Sequence, residues 1–157
     1  MLTNNYYIML GSYYSGNNFK GVDTAGASES YVARDMAKVS SRINEGNTPD
    51  YYEPNAGNFM LLGTGTTPPT VDDYKLDSFV ELTVVNSSQT YFNKKGRILI
   101  YTRTFVNSTS EAITITELGM YIGKPNADKP HLTAREVLSE PVVIQPGESK
   151  AFTFTLK

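Results

Sequence analysis

The stretch GRILIYTRTFVN, Gly96 to Asn107, decides the fold class. Ile98, Ile100, Thr102 and Thr104 fall on one side of an extended chain; Leu99, Tyr101, Arg103 and Phe105 fall on the other. Alternation of period two is the mark of a β-strand, because successive side chains of an extended backbone point to opposite faces. Large groups on both faces predict a central strand, with one face in the core and the other partly covered.

The pattern continues toward the C-terminus. NSTSE, Asn107 to Glu111, supplies turn chemistry. In AITITELGMYIG, Ile113, Ile115 and Glu117 share a face opposite Thr114, Thr116 and Leu118. Gly119 interrupts the alternation and predicts a bulge or a close backbone approach. KPNADKP, Lys124 to Pro130, reads as a loop. LTAREVLSEPVVI follows as one bent or broken strand, in which Pro141 predicts an edge or a bulge. QPGES is a tight turn, and AFTFTLK ends the chain with Phe152, Phe154 and Leu156 on one face. Upstream, FVELTVVN (Phe79 to Asn86) makes another strand, which SSQTYFNKKG links to the next.

About six or seven strands at 8–12-residue spacing predict a mainly β, antiparallel sandwich, immunoglobulin-like or jelly-roll-like. The chain reads as a single domain, 1–157, with a sandwich core over 58–157. Residues 1–57 form an irregular, partly helical N-terminal segment rich in Asn, Gly, Ser and Tyr. Its helix is expected over ESYVARDMAKVSSRIN, Glu29 to Asn44, where Val32, Met36, Val39 and Ile43 recur at helical spacing after a capping Ser28 or Ser30. EGNTPDYYEPNAGN, residues 45–58, reads as a surface loop.

Composition narrows the function classes. The 157 residues are 39% hydrophobic and 19% charged, which suits one packed domain. A formal net charge of −2 gives no electrostatic reason to expect DNA, RNA or an anionic membrane as partner. With no cysteine, disulfides and thiolate metal sites are excluded, and the single histidine, His131, argues against a histidine-based metal site. No apolar run approaches the roughly 20 residues of a spanning helix. The start, MLTNNYYIMLGSYYSG, has neither the cationic region nor the cleavage site of a secretory signal.

The motifs that invite a chemical reading each have a plainer one. In LLGTGTTPPTVDDYKL, Leu61 to Leu76, Gly63 and Gly65 suggest a phosphate-cradling loop. A dinucleotide fingerprint needs a third glycine and a following helix, and a Walker loop needs Gly-Lys-Ser/Thr. Neither is present, so the corner reads as structural: glycine permits tight backbone approach and Pro68-Pro69 stops the strand. Asp72, Asp73 and Asp77 lack the ordered spacing of a calcium loop and read as a solvated turn. His131, in the Pro-flanked KPHLTARE, reads as a surface histidine with no nucleophile to serve. The sequons at Asn86 and Asn107 read as turn residues. No catalytic residue, cofactor site or metal ligand is assigned.

The tyrosine doublets Tyr6-Tyr7, Tyr13-Tyr14 and Tyr51-Tyr52 are the candidate interface. On a strand each doublet turns one ring inward and one outward. They suit a contact surface for a neighbouring subunit or a glycan, and equally the packing of loops over the sandwich.

The order LLGTGTTPPTVDDYKL, RILIYTRTFVNSTSEAITITELGMYIG, LTAREVLSEPVVIQPGESKAFTFTLK resembles a group of structural proteins of tailed bacteriophages. The likeness spans roughly residues 58–157, and TNNYYIMLGS resembles the group's start more loosely. It implies a non-enzymatic virion component assembled in the bacterial cytoplasm: a capsid decoration, fibre, collar or baseplate piece. Its partners would be other virion proteins and copies of itself, with no nucleic acid, membrane or cofactor. The alternative is a receptor- or glycan-binding module at a fibre tip. At the matching positions, Arg135 is expected to pair with Glu117 or Glu136, and Pro146-Gly147 to turn the chain.

Overall fold

The computed structural model describes residues 1–8, 19–31, 57–93, 98–123 and 130–156. Its strands are β1 (Phe19–Val22), β2 (Ser28–Tyr31), β3 (Gly57–Gly63), β4 (Phe79–Val80), β5 (Thr83–Asn93), β6 (Ile98–Val106), β7 (Ile113–Gly123), β8 (His131–Ile144) and β9 (Ser149–Leu156). A short helix covers residues 4–8. Among the described residues the strands form a four-stranded sheet of order β4-β3-β7-β8, a three-stranded sheet of order β5-β6-β9, and the hairpin β1-β2. Every pairing is antiparallel. The expected mainly β, antiparallel architecture is therefore present. No described helix is long and apolar enough to cross a membrane.

Strand β6 lies in the middle of its sheet, as its alternation predicts. Tyr101, Arg103 and Phe105 are buried, while Ile100, Thr102 and Thr104 are half-buried. The buried face meets the other sheet. Tyr101, Phe105, Phe152 and Phe154 from β6 and β9 share one apolar cluster with Met60, Leu62, Ile115, Leu118, Met120, Ala134 and Ile144 from β3, β7 and β8. Inside this layer Arg103 Nη1 donates to the Met60 carbonyl at 3.0 Å, tying the two sheets together.

Two strands bend where the sequence signals it. In the β7–β8 ladder Ile115 faces Val142 but Glu117 faces Val137. Thr116 alone thus lies opposite residues 138–141, a wide irregularity that ends at Pro141, whose missing N–H cannot serve a ladder. At Gly119 side chains and not a second backbone make the close approach: an added Cβ would lie 2.8 Å from the Tyr121 ring and 2.9 Å from the Leu76 side chain. The register shifts fall on either side of Gly119 and not at it.

The turns hold together through Asn107, which is fully buried. Its Nδ2 donates to the Glu111 and Ile144 carbonyls at 2.7 and 2.9 Å, and its Oδ1 accepts from the Thr109 N–H and hydroxyl. The sequon at Asn107 is thus a turn device, with no room for a glycan on its amide. Its backbone carbonyl takes the Gly147 N–H at 2.7 Å. Gly147 has φ +76° and follows Pro146, the arrangement of a type II turn closed by the Glu148 N–H on the Gln145 carbonyl.

Several expectations need correction. FVELTVVN is not one strand: β4 pairs with β3, β5 pairs with β6, and the chain crosses between sheets at Glu81-Leu82. Half-buried Leu82, at that crossing, packs on the core cluster. The stretch read as a linker after Asn86 continues β5 to Asn93. The expected helix Glu29–Asn44 begins in β2, where Glu29 pairs with Gly21 in a hairpin. The hairpin turn is set by Asp23, whose Oδ1 accepts the Ala25 and Ala27 N–H groups at 2.8 Å, and by Gly26 at φ +81°. The remainder of that helix, and residues 45–56 of the expected loop over 45–58, lie outside the described residues, while Gly57 and Asn58 are not loop but the start of β3.

Candidate functional site

The glycine-rich corner does bind an anion, and the anion belongs to the same chain. Glu117 projects from β7 on the face of the four-stranded sheet turned away from the core cluster, and it is fully buried. The loop over 64–78 folds back across that face. Glu117 Oε1 accepts the Gly65 N–H at 3.0 Å and the Ser78 N–H at 2.9 Å; Oε2 accepts the Asp77 N–H at 3.3 Å. Arg135, opposite Gly119 on β8, gives Oε2 a further donor from Nε at 2.8 Å. Four donors match the four acceptor positions of a carboxylate. This is the backbone cradle suited to phosphate, filled by a side chain.

The glycines are there for space. A Cβ on Gly65 would lie 2.5 Å from both Glu117 Oε1 and Asp77 Cβ, and one on Gly63 would meet Glu117 and the Ser78 carbonyl. No side chain fits between the corner and the carboxylate. Thr116 Oγ1 donates to the Gly65 carbonyl at 2.8 Å, and Thr64 and Ser78 join through backbone and hydroxyl groups.

Arg135, only 1% exposed, uses its whole fork on this loop. Nη1 reaches Asp73 at 2.9 Å and Nη2 reaches Asp77 at 2.6 Å, beside the Nε bond to Glu117. Such planar, charge-assisted bonds fix geometry as well as contribute energy. Burial works against the charge on Asp73, but the Thr70 N–H and Arg135 outweigh it and hold this carboxyl below its ordinary range. Burial likewise opposes the Arg135 charge, and its bonds to Asp73 and Glu117 overcome that and raise its pKa. Below the loop, Tyr121 Oη accepts the Leu76 N–H at 2.9 Å, and Leu76, Tyr121 and Leu132 form a second small core against Leu61. Burial pushes the Tyr121 hydroxyl far above its usual pKa, so it stays protonated.

These positions revise the reading of the acidic stretch. Asp73 and Asp77 are not a free solvated turn; both are ion-paired, and Asp72 accepts the Asn4 amide at 2.8 Å. Of the two partners expected for Arg135, Glu117 is the one bound, and Glu136 is exposed. His131, expected on the surface, is 1% exposed as the first residue of β8, facing Ile122 across the ladder. Strand β8 begins directly after Pro130, so His131 belongs to the sheet. Among the described residues no group of three or more His, Cys, Asp or Glu is arranged to hold a metal ion.

The tyrosine candidates divide. Tyr6 and Tyr7 lie on the helix over 4–8 and not on a strand, edge to face at 5.7 Å between ring centres. Tyr6 is half-buried, whereas Tyr7 is 55% exposed. Tyr13, Tyr14, Tyr51 and Tyr52 lie outside the described residues. What the doublets did not signal is how the helix that carries Tyr7 is anchored. Asn4 N–H donates to the Val71 carbonyl at 2.7 Å, and Asn5 clasps Val22 through both amide atoms at 2.8 Å. Exposed Ile8 thus shares the helix of Tyr7, and the exposed residues Val22 and Val71 are joined to that helix through their main chains.

Comparison with family models, curated proteins and solved structures returned no match to this chain.

Proposed function

We propose that this chain is a non-enzymatic structural component of a tailed-bacteriophage virion, working by docking to other virion proteins and to its own copies. One observation carries the docking reading. Tyr7 and Ile8, exposed by 55% and 40%, lie on the helix over 4–8, whose Asn4 and Asn5 hydrogen-bond to the main chain of Val71 and Val22, exposed by 46% and 37%. Exposed large apolar side chains on one short helix and on the residues it binds suit a contact site. The acidic cluster supports the same reading, since Asp73, Asp77 and Glu117 are engaged in holding a loop to a sheet. The virion assignment rests on the ordered motifs from Leu61 to the end of the chain.

The finer architecture belongs to this reading: a β-sandwich of immunoglobulin-like or jelly-roll type. The shared apolar cluster between the four- and three-stranded sheets supports it. The test is to purify particles carrying the wild-type chain or the doubly substituted Tyr7→Ser, Ile8→Ser chain. The wild type should co-purify with virions, and the variant, folded by circular dichroism, should be depleted at least several-fold. A wild-type chain absent from particles contradicts the proposal.

A further inference from the structure

The free edge of β8 is covered by the start of the chain. Leu2 lies antiparallel to Ala134. The Arg135 N–H donates to the Met1 carbonyl at 2.9 Å, and the Thr3 N–H donates to the Thr133 carbonyl at 3.0 Å. Thr3 Oγ1 and Asn5 Nδ2 both donate to the Leu132 carbonyl, at 2.7 and 3.1 Å. Thr3 is fully buried and Asn5 is 4% exposed. Residues 1–5 thus act as an added strand that ends in a helical turn, and they seal the backbone on which Arg135 stands.

This arm is separable from the core in a way the other strands are not. Its one apolar contribution to the main cluster is half-buried Leu2. The remaining contacts are main-chain bonds and polar side-chain bonds, among them Asn4 to the Asp72 carboxylate and Asn5 to the Val22 N–H and carbonyl. Removing the arm would leave both sheets closed and expose an edge at residues 132–135 whose N–H and C=O groups need a strand. The segment that fits this edge in register, with Leu2 inward and Thr3 and Asn5 on Leu132, is the arm itself. Every second copy carries the same segment. Ten residues, 9–18, join the helical turn to β1. A connection of that length spans up to roughly 35 Å when extended, several times the distance between paired strands. Tyr7 and Ile8, both exposed, directly follow the arm on the helical turn over 4–8.

We propose that residues 1–5 are exchanged between two copies of this chain, so that the arm of each completes the β8 edge of the other. The exchange is reciprocal and closes as a two-fold dimer. It rests on the assembly reading and names the partner as a second copy.

The absence of native cysteine permits a direct test. Leu2 and Ala134 form a non-hydrogen-bonded antiparallel pair, whose Cα separation of roughly 4.5 Å falls within the range a disulfide bridges. Leu2→Cys and Ala134→Cys chains, one lengthened by a tag, are mixed, unfolded in urea, refolded together and oxidised. Exchange predicts a covalent dimer containing one chain of each mass on a non-reducing gel. Overturning the proposal takes no mixed dimer in that experiment while an L2C/A134C chain closes its disulfide within one monomer. Should Ala134→Cys fail to fold, isotope-filtered NMR of a half-labelled wild-type mixture reads the same contact. Leu2–Ala134 signals between labelled and unlabelled chains support exchange, and signals only within one chain overturn it. An oligomer by light scattering whose Leu2–Ala134 contact stays within each chain overturns the exchange and leaves the assembly reading standing.

Discussion

Arg135 Nε donates to Glu117 Oε2 at 2.8 Å across the β7–β8 ladder, and both side chains are buried. The pair joins two strands and, through the remaining donors and acceptors, a loop. Removing Glu117 leaves Arg135 its Asp73 and Asp77 partners, and removing Arg135 leaves the Glu117 carboxylate its three N–H donors, so each change costs the lost charge-assisted bond, about 1–3 kcal/mol. Glu117→Gln and Arg135→Gln are each expected to lose stability on that scale in urea titrations. Because they share one network, the double variant should depart from the sum of the singles by about 0.5–3 kcal/mol. Additive losses would show that the two residues act independently.

Gly65 and Gly147 make a contrasting pair. Gly147 has open space around its Cβ position but a positive φ of +76°, so Gly147→Ala should cost about 1 kcal/mol of backbone strain. Gly65→Ala would place a methyl 2.5 Å from the Glu117 carboxylate and should cost more, about 2 kcal/mol or above, by forcing the loop off the sheet. Thermal melts of the two variants check the order. A Gly65→Ala chain as stable as wild type would mean the corner does not grip Glu117.

Asn107 gives a third expectation. Asn107→Asp replaces an amide donor by a carboxylate against the Glu111 and Ile144 carbonyls, 2.7 and 2.9 Å away. The change should destabilise by about 2–3 kcal/mol. It should cost more than Asn107→Ser, whose hydroxyl retains a donor. Chemical denaturation of both variants tests the ranking, and equal losses would contradict it.

The pH dependence follows from Asp73. Burial opposes its charge, yet the Thr70 N–H and Arg135 hold its folded-state pKa below the ordinary carboxylate value. A depressed pKa contributes stability that is present above the unfolded value, near 4, and is lost as pH falls through the folded value. Asp77, Glu117 and Arg135 face it and share the network. The melting temperature should therefore hold near neutral pH and drop below about pH 4. The Asp73→Asn variant should be less stable at neutral pH and should converge on wild type in acid. Parallel pH profiles for the two chains would remove Asp73 from the latch.

Much of the β framework was legible because its signal is local. The phase of Tyr101, Arg103 and Phe105, the break at Pro141 and the Pro146-Gly147 turn all follow from neighbouring residues. The split of Phe79–Asn86 between two sheets was not, since an unbroken apolar run carries no mark of where a chain changes sheet. The latch was half legible. Arg135 and Glu117 are charges set among apolar neighbours in strands, a pattern that demands a partner. Asp73 and Asp77 reach Arg135 from 62 and 58 residues away, and no local pattern announces such a meeting. His131 misled because flanking prolines suggested a loop, whereas its ladder position puts it inside.

Amide hydrogen exchange tests most directly whether the glycine-rich corner is clasped to the sheet by Glu117. The Gly65, Leu76 and Ser78 amides should be protected in the wild type, through Glu117 and Tyr121. In Glu117→Gln the Gly65 and Ser78 amides should exchange at least tenfold faster, while central amides of β6 stay slow. Gly65 and Ser78 amides that exchange at open-loop rates in the wild-type chain would contradict the latch outright.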